Sequence, residues 1–113
     1  MTRTEFVTMY NMHDSLVEAV DVTEAGKAIE ILIDFAFWMQ EHYREGDPET
    51  GLIKVVFKNV RSFQIPPNTE WGETSILEMG EEDRYVRFLL INDMTDDSLE
   101  ILIETDEVEV RIL

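Results

Sequence analysis

The chain contains no cysteine, few glycines and prolines, and few bases. Without cysteine there are no disulfides, no thiolate metal sites and no cysteine nucleophile, a composition suited to a reducing cytoplasm. The five glycines, Gly26, Gly46, Gly51, Gly72 and Gly80, stand alone, so no Gly-rich loop cradles a phosphate and no nucleotide cofactor is expected. Only 9 bases face 25 acids, a formal charge of -16 on 113 residues. Phosphate contacts need a basic footprint, which excludes nucleic acid as a partner. Long apolar runs are missing too: the longest, Phe35 to Met39, is far short of the roughly 20 residues that cross a bilayer. With no apolar run of signal-peptide length near the first residues, a soluble cytoplasmic protein with no membrane partner is expected.

What is present is a globular composition. A hydrophobic fraction of 44% is too high for a charge-extended disordered chain, and the length suits one domain spanning residues 1–113. The acids are spread over both halves of the sequence rather than gathered in a tail. Crowded carboxylates raise one another's pKa, so stabilisation by salt and by mild acid is expected.

Alternation with period two dominates the pattern. It is cleanest where Ile29, Ile31, Ile33, Phe35 and Phe37 interleave with Glu30, Leu32, Asp34, Ala36 and Trp38, which predicts one long strand. Leu16 to Val22 predicts a hairpin partner for it, joined through Thr23 to Lys27. A loop over Met39 to Gly51 leads to a strand over Leu52 to Lys58, and a phase shift at Asn59-Val60 marks a turn or bulge before a short strand over Arg61 to Ile65. Further strands are predicted over Ser75 to Met79, Arg84 to Ile91, Ser98 to Glu104 and Val108 to Leu113, with a turn through Gly80 to Asp83. One short helix is predicted at the N-terminus, where Thr2 and Glu5 match a capping box and Phe6, Met9 and Tyr10 share a face. The fold class is therefore all-β, or α+β with that helix: an antiparallel sandwich or partly closed barrel of seven to eight strands.

Candidate functional residues are few. His13-Asp14-Ser15 has the residue types of a nucleophilic triad, but consecutive residues cannot present an imidazole nitrogen to the serine oxygen with the acid behind the ring. A turn or strand entry, with Asp14 or Ser15 bonding nearby amides, is the expected role, and no catalytic residue is named. A ligand or metal site on imidazole would need His13 and His42 to converge with acids, of which Asp14 and Asp34 are the candidates carried forward. The stretch Asp93 to Ser98 imitates a calcium loop, but Ser98 stands where that loop requires glycine, so a solvated hairpin turn is expected. Trp38, Tyr43 and Trp71 lie at strand ends or in loops, where indole and phenol serve as partner-binding anchors; covering the end of a sandwich is their competing role.

His13-Asp14-Ser15, the strand through Ile33-Asp34 to Trp38, Val56-Phe57-Lys58-Asn59-Val60 and Ser98-Leu99-Glu100-Ile101 together resemble small bacterial β-rich domains of uncharacterised function. Some similar domains are grouped with the immunity proteins of polymorphic toxin systems. The resemblance implies a cytoplasmic binder with no catalytic residues to carry over. The expected function is an acidic, non-enzymatic binding protein whose partner is a basic protein. The alternatives are a small ligand- or metal-binding domain or enzyme using His13 and nearby carboxylates, and an accessory subunit of a larger assembly.

Overall fold

Alternating residues become eight strands, because period-two patterning gives each strand one face to bury and one to leave in water. The computed structural model describes every residue from Met1 to Leu113. The strands are β1 (Leu16–Thr23), β2 (Ala28–Ala36), β3 (Thr50–Lys58), β4 (Ser62–Gln64), β5 (Thr74–Glu82), β6 (Tyr85–Asn92), β7 (Ser98–Glu104) and β8 (Glu107–Ile112), preceded by the helix α1 (Arg3–Met9). They form one antiparallel sheet in the order β4-β7-β6-β5-β1-β2-β3-β8. All-β with a short helix is the observed class, and the sheet is open, since β4 and β8 remain its two edges.

The sheet is nevertheless folded over. β1 and β5 pair only through Leu16 with Ser75 and Val17 with Thr74, a seam too short to keep two four-stranded halves in one plane. At the far side only Thr105 and Asp106 connect β7, next to one edge, to β8, which is the other edge. The inner faces of the halves therefore meet, and Phe57 of β3 packs edge-to-face on Phe88 of β6 with ring centres 6.2 Å apart. Ile29, Ile31, Ile33 and Phe35, on the core phase of β2, are all buried there.

α1 forms where the capping box predicts. The Thr2 hydroxyl accepts the Glu5 amide, and the Glu5 carboxylate accepts the Thr2 amide. The helix delivers Phe6, fully buried, onto Phe57. Arg3 fixes it at the closing corner: its guanidinium donates to the Thr105 carbonyl at 2.8 Å, to Asp106 at 2.9 Å and to Glu81 at 2.7 Å.

Three expectations are corrected. β2 stops at Ala36, and Phe37 to Met39 form a 3-10 turn, because the Gln40 side chain donates to the Ala36 carbonyl at 2.9 Å and the Trp38 amide turns to the Glu49 carbonyl. The predicted turn through Gly80 is strand: Gly80 pairs with Arg87, and Asp83 with Arg84 suffices for the turn because Asp83 adopts a positive φ of 55°. Carboxyl pKa values shift down rather than up at every carboxyl with a resolved shift: Glu5 through its cap bond to Thr2, Glu81 through Arg3, Asp106 through Arg61 and Arg3, and Glu109 to about 2 through Arg111 and Lys58. Local bases win over the diffuse repulsion of distant acids, because charge-assisted bonds act at contact and the repulsion is screened by water.

Candidate functional site

Residues Tyr10 to Ser15 lead from α1 into β1, and their backbone is fixed from two sides, by Ile76 and by Gln40. The Asp14 amide donates to the Ile76 carbonyl at 3.0 Å, and the Ile76 amide donates to the Ser15 carbonyl at 2.8 Å. Asn11 and Gln40 exchange bonds, the Asn11 amide donating to Gln40 Oε1 at 3.0 Å and Gln40 Nε2 donating to the Asn11 carbonyl at 2.7 Å. Asp14 holds a positive φ of 64°, which an aspartate tolerates in a turn. Ser15 is buried, and its hydroxyl accepts the Ala36 amide at 2.9 Å. The triad reading ends there, because the serine oxygen is buried and bound to a strand amide.

His13 is half exposed and oriented. Its Nδ1 lies 2.7 Å from the Leu77 carbonyl, and a carbonyl only accepts, so Nδ1 is the donor of this bond. Nε2 lies 3.5 Å from Asp14 Oδ1. His13 lines a cleft of about 450 Å³ whose walls are the end of α1, the 3-10 turn after β2 and the bulged part of β5. Thus His13 and Asp14 are brought together. The other two candidate ligands stand apart. Asp34 lies on the outward phase of β2 between Leu16 and Leu52, and His42 lines a smaller depression of about 300 Å³ with Phe37, Tyr43 and Pro48. No three His, Asp or Glu side chains converge where they could hold a metal ion.

The segment between β2 and β3 gathers a second set of groups. Trp38 is 46% exposed. Tyr43 is half-buried, and its hydroxyl donates to the Asp47 carbonyl at 3.0 Å, closing a turn that also binds the Arg44 amide to the Asp47 carboxylate. Around them Glu41, Glu45, Asp47 and Glu49 are all exposed, and none of the four enters an ion pair. Six bases, Arg3, Lys54, Lys58, Arg61, Arg87 and Arg111, are instead paired with acids elsewhere on the sheet and at the closing corner. Trp71 does not belong to this set. It is half-buried beside β1 and packs against the core, the covering role rather than that of an exposed anchor.

The calcium-like stretch is the β6–β7 hairpin turn. Asn92 Oδ1 accepts the Met94 and Thr95 amides, Asp93 accepts the Ser75 hydroxyl at 2.6 Å, and Asp97 accepts the Thr95 hydroxyl at 3.0 Å. What sequence reasoning missed is the cleft's sulfur: Met9, Met12, Met39 and Met79 all line it. Methionine carries no spacing signal that separates a lining residue from a core filler.

No family model matches the chain, and no curated protein matches it. Among solved structures it is similar to the crystal structure of an uncharacterized protein from Neisseria gonorrhoeae, with 9% identity over 89% of this chain and 93% of that one, and a TM-score of 0.51. Identity at that level speaks for the fold alone. No helix is long and apolar enough to cross a membrane.

Proposed function

We propose that this chain is a non-enzymatic binding protein whose segment between β2 and β3 engages a basic protein partner. The observation that carries the reading is the exposed Trp38 in a segment that also carries four exposed carboxylates, Glu41, Glu45, Asp47 and Glu49, with no ionic partner within the molecule. Unpaired charge attracts an oppositely charged protein from a distance and speeds the encounter, while a large aromatic that becomes buried on contact slows dissociation. Trp38 supplies the anchor, Tyr43 shapes the adjoining depression, and the four acids supply the reach. The resemblance to small bacterial β-rich domains, some of them grouped with immunity proteins, makes a basic toxin domain the kind of partner proposed.

The test is affinity capture with the immobilised chain at low and high salt. One basic protein is expected at low salt and lost as salt rises, and capture is expected to fail with Trp38→Ala and to weaken with Glu41→Gln, Glu45→Gln and Glu49→Gln combined. Capture that survives both variants would place the interface elsewhere and defeat the proposal.

A further inference from the structure

The depression of about 300 Å³ is lined by Phe37, Gln40, His42, Tyr43, Asp47 and Pro48, all from the segment between β2 and β3. Its shape is set before any ligand arrives. The Phe37 ring meets Phe35 edge-to-face with ring centres 5.3 Å apart and lies over Gly51, where a Cβ would come within 2.7 Å of it. Tyr43 is held at both ends, its amide donating to the Gln40 carbonyl at 3.1 Å and its hydroxyl to the Asp47 carbonyl at 3.0 Å. Arg44 and Asp47 close the turn between them: the Asp47 amide donates to the Arg44 carbonyl at 3.0 Å, and the Arg44 amide donates to Asp47 Oδ2 at 3.1 Å. Little ordering is left for an occupant to impose.

What the lining leaves unsatisfied defines the occupant. Gln40 is fully engaged, since its Nε2 donates to the Ala36 and Asn11 carbonyls and its Oε1 accepts the Asn11 amide. The Tyr43 hydroxyl proton is engaged by the Asp47 carbonyl, and Phe37 and Pro48 offer apolar surface only. The one acid of the lining, Asp47, is exposed, forms no ion pair and has Oδ1 free of hydrogen bonds. Aromatic and proline walls around a free carboxylate favour a planar cation on an apolar stem. A guanidinium is such a group, because it stacks on aromatic faces, is weakly hydrated and donates to carboxylates. An ammonium is compact and strongly hydrated, so lysine gains less from the same walls. Arg44, the one arginine or lysine between β2 and β3, does not line the depression, and Glu41, Glu45 and Glu49 of the same segment oppose an anionic occupant.

We propose that this depression is a pocket for an arginine side chain, the guanidinium lying against the aromatic lining and donating to Asp47 Oδ1. The inference rests on the reading of this segment as the contact with a basic protein, and it names the residue of that partner which the contact selects. Unpaired acids attract any base, whereas an aromatic pocket distinguishes arginine from lysine, so the pocket supplies the specificity that charge alone lacks.

The experiment is a titration of the full chain, followed through the ring resonances of Phe37, His42 and Tyr43, with the peptide acetyl-Gly-Arg-Gly-amide and its lysine and citrulline counterparts. The arginine peptide is expected to shift all three rings and to half-saturate at about 1–10 mM, the range open to a single side chain. Lysine, and citrulline with its planar but neutral head, are expected to bind about fivefold more weakly. Asp47→Asn removes the charge and keeps an oxygen for the Arg44 amide, so the fold is expected to persist while arginine affinity falls about fivefold. Glu45→Gln removes a charge outside the lining and is expected to cost less than about twofold. Should Asp47→Asn disturb the turn, the citrulline peptide decides the matter. Rings unmoved by the arginine peptide would overturn the pocket, as would lysine or citrulline bound as tightly as arginine, or an equal loss in Glu45→Gln and Asp47→Asn. Ring shifts that persist while affinity capture recovers no basic protein support the pocket and defeat the partner reading, whereas capture that succeeds while the rings stay still defeats the pocket alone.

Discussion

Thr105 shows how much of the closing corner rests on one hydroxyl. It is fully buried, donates to the Lys58 carbonyl at 2.6 Å and accepts the Glu107 amide at 3.3 Å, so it joins β3 to the start of β8. Thr105→Val keeps the shape and removes the donor, and the unfolding free energy in urea is expected to drop by about 1–3 kcal/mol. Gly51 is constrained by crowding rather than by a turn: a Cβ there would lie 2.7 Å from the Phe37 ring. Gly51→Ala is expected to lower stability by about 1–3 kcal/mol, read in the same urea titration, because the ring must leave its edge-to-face contact with Phe35. Ser15 was legible only in part: a serine at a strand entry was expected to bind amides nearby in sequence, whereas its hydroxyl accepts the amide of Ala36 on β2. Gly51 was not legible, because its reason lies on a ring contributed by the neighbouring segment, and nothing in the order of residues reveals that approach. The methionines of the cleft were hidden for a related cause: they line it together only because its walls come from three separate elements.

At the scale of elements, α1 is short and owes its place to Phe6 and to its cap. Phe6→Ala should cost about 3–5 kcal/mol, since the ring is fully buried against Phe57 and Tyr10. Thr2→Ala should cost about 1 kcal/mol, with the two losses separable by thermal unfolding of the single variants. Period-two patterning made most strands readable, because burial on one face leaves a direct imprint on residue order. β2 was over-read by the residues from Phe37 onward, which keep the alternation but obey the Gln40 side chain bound to the Ala36 carbonyl. The pairing of β1 with β5 left no imprint at all: Leu16 and Ser75 are adjacent through backbone bonds that any side chain can accompany. The same holds for β8 beside β3, so strand identity was legible and strand order was not.

For the whole molecule, charge sets how stability responds to solvent. Acids such as Glu41, Glu45, Asp47, Glu49, Asp96 and Glu107 lack basic partners, and their mutual repulsion is screened by added salt, so the melting temperature at neutral pH is expected to rise with ionic strength. A flat salt profile would show that local pairs outweigh that repulsion. Acid acts in the opposite sense. Glu109 titrates at about 2 when folded against an ordinary 4.5, held down by Arg111 and Lys58, so its stabilising contribution is complete above 4.5 and disappears as pH falls towards 2. Glu81 and Asp106, lowered by Arg3 and Arg61, follow the same sign, and the melting temperature should therefore decline as pH drops below the ordinary carboxylate range. The two-residue link through Thr105 and Asp106 also bears on the route by which the chain reaches this state. Because four strands, β4 to β7, separate β8 from its partner β3 in the chain, the β5–β6 and β6–β7 hairpins are free to form early by local closure, while β8 locks the fold late. A ribosome releasing this chain would hold an unfinished sheet, with the edge of β3 bare, until Glu107 to Ile112 had cleared the exit tunnel.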